Sequence, residues 1–245
     1  MISKPHSFIC QVIPWLSLSA GCGISRRMFK PTSHRRHPRD TPLIGLISDS
    51  HGRADLLANA LAFMKRKGCD TIYHLGDICD SLHPETADAC VGLLREFQVN
   101  GVKGNNDHSL VVNHDGRERS AIQAETIGYL RALPLVIRVE GSLLAHSLPF
   151  EKELGLACMV GVMSKDYART FFQRFADRIL FRGHSHSPEI VWQDHHGHVV
   201  SENIPRGQAI KTTERTPCIV TCGALDQGLC LLWSPTDNRV TSVKF

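Results

Sequence analysis

No two of the nine cysteines stand in CxxC spacing, their number is odd and their intervals are irregular. That argues against both a zinc ribbon and a disulfide framework. Cys69, Cys90 and Cys230 lie among apolar residues and read as small core hydrophobes, which fits a reducing cytoplasm. No apolar run is long enough to span a bilayer. A strong excess of one charge is missing too. The formal net charge is +4, and residues 1–41 account for more than all of it, with Lys4, Arg26, Arg27, Lys30, Arg35, Arg36 and Arg39 against Asp40 alone. Taking these seven bases and one acid from totals of 28 and 24 leaves 21 Lys and Arg against 23 Asp and Glu, a net of −2 for the rest. Tracking a nucleic-acid backbone needs a basic surface, and residues 42–245 do not supply one.

Residues 1–41 read as a basic N-terminal extension. Residues 8–23 are moderately apolar, follow Lys4 and end in small residues around Cys22, as an export or lipoprotein leader does. Gln11 and Pro14 interrupt that run, and the basic stretch after it opposes export. A disordered tail, or an over-extended start with Met28 as initiator, are the alternatives. The cytoplasm is the expected location, with export as its alternative. Residues 42–245 are expected to form one domain, since sheet-rich α/β domains of this size are usually single.

Leu43–Ile47 is a short continuous apolar run, the pattern of a buried strand. Leu56, Leu57, Ala60, Leu61 and Met64 then recur at helical spacing, and Gly68 closes that helix. Residues 71–75 form a second strand, residues 84–97 a helix opened by Pro84, and residues 99–103 a third strand. A helix near residues 120–132, strands over 135–139 and 142–146, a helix-rich stretch over 151–178 and a strand over 179–181 follow. From Glu189 onward the pattern is mostly β, with a polar loop near residues 205–216. Strand and helix alternate first and strands dominate later, which predicts an α/β sandwich with helices on its outer faces.

Five polar clusters each follow an apolar strand, at the edge where α/β folds gather their ligand sites. In the first, Asp49-Ser50-His51, residues two apart in extended backbone face the same way and grip one cation. A loop aspartate capping the next helix is the plainer alternative. In the second, Gly76-Asp77-Ile78-Cys79-Asp80, the glycine permits a sharp turn. Asp77 has two oxygens to share between cations, and Asp80 is a supporting residue. In the third, Gly104-Asn105-Asn106-Asp107, a neutral amide oxygen ligates without adding charge, although an Asx turn explains the segment in isolation. The fourth is His146, which alone reads more readily as structural. The fifth, Gly183-His184-Ser185-His186, sets two imidazoles at i and i+2. His195, His196 and His198 share a Gly-containing turn and read as solvated.

Taken in order, these clusters resemble the calcineurin-like metallophosphoesterase superfamily. That family's pattern is Asp-x-His, Gly-Asp-x-x-Asp, Gly-Asn-x-Asp/Glu, a later His, then Gly-His-x-His. The match runs over roughly residues 43–245 and extends to the small-residue turn Cys222-Gly223-Ala224-Leu225-Asp226-Gln227. The resemblance implies a four-layer αββα sandwich of two mixed β-sheets flanked by helices. It puts one divalent cation on Asp49, His51, Asp77 and His186, and a second on Asp77, Asn105, His146 and His184. Two cations about 3.5–4 Å apart lower the pKa of a bridging water and neutralise phosphoryl oxygens. Mixed N/O ligands without thiolate suit Mn²⁺, with Fe, Zn²⁺ or Ni²⁺ as alternatives, better than Ca²⁺.

One position departs from the family. Many members carry His directly after the metal-binding Asn, as phosphate contact or general acid, and here it is Asn106. Compact prokaryotic members lack that His too and resemble phosphodiesterases. Asn106 is then a candidate phosphate contact, with Asn105, Asp80 and Asp107 as catalytic or supporting residues. His108 and His74 are candidate substitute acids, His74 reading better as a support. The expected activity is hydrolysis of a small phosphodiester or phosphomonoester. A metal-dependent nuclease is the alternative, and a non-enzymatic scaffold a third reading that the intact ligand histidines oppose. Residues 150–178 are expected to wall the substrate pocket, with Lys165, Arg169 and Arg174 as candidate contacts to an acidic substrate. An oligomer is compatible with the sequence.

Overall fold

In a computed structural model that describes residues 42–117 and 120–245, the first apolar run forms strand β1 (Ile44–Ile47), buried along its whole length. The expectations for residues 1–41 lie outside the described residues. Helix α1 (Ala54–Lys67) turns Leu57, Ala60, Leu61 and Met64 inward and stops at Gly68, whose φ of 78° is the left-handed conformation that ends many helices. Strand β2 (Thr71–His74), a 3₁₀ turn (Pro84–Thr86), helix α2 (Ala87–Glu96) and strand β3 (Asn100–Gly101) follow. Next come helices α3 (Asn105–His114) and α4 (Ala124–Ala132), strands β4 (Val136–Val139) and β5 (Ser142–Ala145), the short helix α5 (Glu151–Leu154), a 3₁₀ segment (Gly155–Met159) and helix α6 (Lys165–Arg174). The remaining strands are β6 (Ile179–Arg182), β7 (Glu189–Gln193), β8 (Val199–Asn203), β9 (Ala209–Lys211), β10 (Cys218–Thr221), β11 (Leu229–Ser234) and β12 (Arg239–Lys244).

The strands make two mixed six-stranded sheets, in the orders β3-β2-β1-β11-β12-β9 and β4-β5-β6-β10-β7-β8. β1, β2 and β3 run parallel in the first sheet, and β5, β6 and β10 in the second. Three apolar clusters define the layers. Leu46, Leu75 and Trp233 of the first sheet's side meet Leu144, Phe181 and Val220 of the second between the sheets. The Phe181 and Trp233 rings lie 4.6 Å apart there. α1, α2 and α4 cover the outer face of the first sheet with Leu57, Leu61, Leu94 and Leu130. α6 covers the outer face of the second with Ala168, Phe171 and Phe172. This is the expected αββα sandwich.

Three expectations about elements change. The Gly104–Asp107 segment is no plain turn but the start of α3. Asp107, at the helix's third position, accepts the Gly104 N–H at 2.9 Å, and Leu110 and Val111 give the helix a buried side. Strand β3 is shorter than expected because Val102 makes its last bond to the His74 carbonyl and Lys103 N–H then turns to Pro134 O at 2.9 Å. The polar loop near 205–216 contains β9, which pairs with β12 as an edge strand.

Candidate metal centre

β1, β2, β5 and β6 end at one edge of the sandwich, and their loops carry Asp49/His51, Asp77, His146 and His184/His186. Asn105 joins them from the first position of α3. Backbone bonds stitch the first two loops: Asp49 N–H donates to Gly76 O at 3.0 Å and His51 N–H to Asp77 O at 3.1 Å. Gly183 N–H donates to His146 O at 3.0 Å and joins the second sheet's two loops.

The ligand loops are not extended. Asp49, His51, Asp77, His184 and His186 have φ of 54°, 44°, 54°, 69° and 61°, five of the eight non-glycine residues with positive φ among the described residues. Left-handed placement is uncommon for any residue but glycine, although Asp and His adopt it more readily than most. Placement of that kind gathers at sites where surrounding structure enforces it. The expected extended-strand geometry for Asp49 and His51 is therefore replaced by a left-handed turn, which still brings His51 Nε2 to 3.9 Å from Asp49 Oδ1. Nor does Asp49 cap α1, whose N-cap is Arg53 without a side-chain bond.

Two overlapping groups result. Asp49, His51 and His186 offer atoms that all lie within 4.8 Å of one another, as do Asp49, Asp77 and His146. His186 Nε2 lies 3.3 Å from His51 Nε2 and 3.5 Å from Asp49 Oδ1. His184 turns the other way, with Nδ1 3.1 Å from His146 Nε2, so the two imidazoles of the Gly-His-x-His turn serve different groups.

His146 Nδ1 donates to Leu75 O at 2.9 Å. That fixes the tautomer and aims the Nε2 lone pair inward. There Nε2 meets Asn105 Oδ1 at 3.1 Å and Asp77 Oδ2 at 3.6 Å. A histidine nitrogen, an amide oxygen and a carboxylate oxygen are the atom types that ligate divalent ions, so the set fits divalent metal ions. Asp49 is fully buried. Burial pushes its carboxyl up, but the His186 hydrogen bond and the nearby His146 outweigh it and bring the pKa down to about 2. That hydrogen bond to Asp49 raises the pKa of His186, whereas burial and then the neighbouring His146 lower that of His184.

The supporting residues have definite work. Asn106 donates to Asp77 Oδ2 through its amide at 2.7 Å and to Oδ1 through its backbone at 2.9 Å, and its own Oδ1 accepts from Ser81 Oγ at 2.7 Å. Asn106, expected as a phosphate contact, clamps Asp77 here. Asp107 is fully buried and accepts from Cys79 N–H at 3.0 Å and Gly104 N–H, which ties two ligand loops together. Burial first, then Asp77, push its carboxyl up to about 7. Asp80 Oδ1 accepts the Leu82 N–H at 2.8 Å and shapes its own turn.

His74 is a support rather than an acid. Its Nδ1 accepts the Gly76 N–H at 3.2 Å, so Nε2 donates to Ser50 Oγ, and burial drops its pKa to about 3. Arg169 and Arg174 are engaged by Asp166 and Glu153 at 2.9 and 2.7 Å. His195, His196 and His198 are exposed in the β7–β8 turn, as expected. Two contributors were not singled out in the sequence. Ser81 braces Asn106, and Arg182 is buried behind the histidine loops. An arginine closing an otherwise apolar strand was the available signal for the second.

Buried carboxylates and inward-facing histidines at one edge of an αββα sandwich make a candidate metal site in an α/β fold. The profile of the calcineurin-like phosphoesterase superfamily domain matches residues 43–222, and the chain belongs to that family, whose members use divalent metals to hydrolyse phosphoesters. The chain is 27% identical over 166 residues to an uncharacterized protein of Methanocaldococcus jannaschii, covering 60% of this chain and 63% of that relative's length. A metallophosphoesterase structure from Sphaerobacter thermophilus superposes with a TM-score of 0.65 at 24% identity, over 83% of this chain and 88% of that one, which is a likeness of fold.

Proposed function

We propose that this chain hydrolyses phosphoester bonds of a small substrate, phosphodiesters foremost, with a pair of divalent cations, Mn²⁺ first among them. One would be held by Asp49, His51, Asp77 and His186, the other by Asp77, Asn105, His146 and His184. The observation that carries this reading is the inward convergence of His146 Nε2, Asn105 Oδ1 and Asp77 Oδ2, atoms of the types that ligate divalent cations. When bound, such cations supply Lewis-acid charge for the phosphoryl oxygens and lower the pKa of water.

The chain's own residues do the rest. Leu75 O holds the His146 tautomer, Asn106 holds Asp77 in place, and Gly104 leaves the room that Asp77 occupies. Asn106 is occupied with Asp77, and His74 is buried and neutral. An amide has no proton to give a leaving group and His74 is not free to give one, a step that is worth about 10²–10⁴-fold where present. Unless His108 supplies that proton, leaving groups that need little protonation are favoured. Cys90, Cys218, Cys222 and Cys230 are buried in the apolar core as small hydrophobes, which supports a reducing compartment and with it the cytoplasm.

The test is hydrolysis of bis-para-nitrophenyl phosphate and para-nitrophenyl phosphate by metal-stripped protein with and without Mn²⁺. Mn²⁺ is expected to restore activity, diester above monoester, and His186→Ala to abolish it. Full activity in that variant or in the stripped protein would refute the reading.

A further inference from the structure

Arg182 closes β6, is 2% exposed, and has no carboxylate among its hydrogen-bond partners. Nε donates to Ser147 O at 3.1 Å and Nη2 to Ser147 Oγ at 3.0 Å, so one edge of the guanidinium grips a single residue. Nη1 donates to Ser185 Oγ and, at 3.3 Å, to Thr221 Oγ1. Burying a cation is costly even after relaxation. Burial lowers its pKa to about 10 and outweighs the nearby Glu189 and Asp49, which favour its charge but accept none of its hydrogen bonds.

The acceptors explain the placement. Ser147 follows His146 directly, and Ser185 lies between His184 and His186. The fork therefore joins the β5 end to the turn after β6 and anchors both on β10 through Thr221. That turn needs holding, because His184 and His186 both sit at positive φ. Asp49 accepts the His184 N–H at 3.1 Å on one side, and Arg182 binds Ser185 on the other. Between the gripped segments His146 Nε2 and His184 Nδ1 lie 3.1 Å apart.

We propose that Arg182 is a positioning residue that fixes His146 and His184 against each other and so sets the affinity of the cation position those histidines share with Asp77 and Asn105. The inference rests on the two-cation reading above. Charge alone does not do this work: a lysine keeps the charge but not the planar fork that reaches three residues.

The test is Co²⁺ titration of metal-stripped full-length protein, followed by visible absorption and chelator competition. Wild type is expected to take up two Co²⁺. Arg182→Lys should keep one at near wild-type affinity and bind the other at least about tenfold more weakly, the usual minimum for lost support behind a metal ligand. Comparison with His146→Ala, which removes that position outright, assigns the weakened step. Ser185→Ala cuts only the link to the histidine turn and should weaken the same step less. Circular dichroism and urea melts of the stripped proteins report folding, and if Arg182→Lys does not fold, Ser185→Ala decides. Two Co²⁺ bound at wild-type affinity by the folded variant, or equal weakening of both steps, overturns the role of Arg182. A wild type that takes up fewer than two Co²⁺ overturns the two-cation reading itself.

Discussion

Asn106→Ala separates a residue that holds Asp77 from one that touches substrate. The substitution removes the 2.7 Å bond from the amide to Asp77 Oδ2 and leaves Ser81 Oγ without its 2.7 Å acceptor. The backbone bond to Asp77 Oδ1 at 2.9 Å survives. A hydrogen bond to a charged group is worth about 1.5–3 kcal/mol. At about 1.4 kcal/mol per tenfold, that is roughly 10- to 100-fold in metal affinity, the range seen when support behind a metal ligand is lost. Titration calorimetry with Mn²⁺ should find that weakening. Hydrolysis of bis-para-nitrophenyl phosphate should recover to within several-fold of the wild-type kcat once Mn²⁺ saturates. Asn106→Asp, which sets a carboxylate where the amide donated to Asp77, should bind Mn²⁺ more weakly still. Unchanged Mn²⁺ affinity with a kcat about 100-fold lower at saturation would refute the argument, because Asn106 would then act on the phosphoryl group.

Three further outcomes follow from the same geometry. In Gly104→Ala the new methyl would overlap Asp77 N and Oδ1 and lie 2.9 Å from Asp77 Cα. Forced overpacking of this kind costs about 1–3 kcal/mol, so urea melts should show that loss and Mn²⁺ binding should fall with it. His74, with a folded pKa of about 3 against an ordinary 6.5, stays neutral in the fold while the unfolded chain takes up a proton. Metal-stripped wild type should therefore lose stability relative to His74→Gln as pH falls from 6.5 toward 3, by about 1.4 kcal/mol per pH unit; a pH-independent difference in urea melts would count against the buried neutral ring. Mn²⁺ at 100 times its Kd should stabilise the stripped protein by about 2.7 kcal/mol, seen as a raised Tm that His186→Ala largely loses.

The layers were legible because their signals are local. The run at Ile44–Ile47 and the spacing of Leu57, Ala60, Leu61 and Met64 state their burial without reference to anything distant. α3 was less so, because the helix opens on Asn105-Asn106-Asp107, residue types that also build turns. What decides for helix is the reach of Asp107 to Gly104 N–H and Cys79 N–H, the second a contact across 28 positions that local pattern cannot display. β9 was missed because Ile210 is its one buried residue, which leaves no alternation to read. Ser81 and Arg182 were missed because each acts through a side chain distant in sequence, Asn106 for the one and Ser147 and Thr221 for the other.

At the candidate metal centre the chain states which atoms are offered, and only the fold states how they converge. Asp-x-His suggested two ligands on one side of a strand, yet Asp49 and His51 both lie at positive φ. A straight strand end would carry its side chains to opposite faces in turn. The left-handed turns break that alternation and let loops from both sheets aim inward. Such turns are less favourable for Asp and His than for glycine, so each needs partners that hold it. Asp49 receives the His184 N–H, His51 N–H is held by Asp77 O, and Asp77 is held by Asn106. The close approaches this requires explain two of the glycines as steric necessities: a methyl on Gly183 would overlap Ser48 Oγ and lie 2.7 Å from Asp49 Oδ2, and one on Gly76 would lie 2.7 Å from His146 Nδ1. The ordered motif is thus a record of two requirements at once, ligand atoms for cations and room for the strained backbone that presents them, and a glycine in it is as much part of the centre as the histidine beside it.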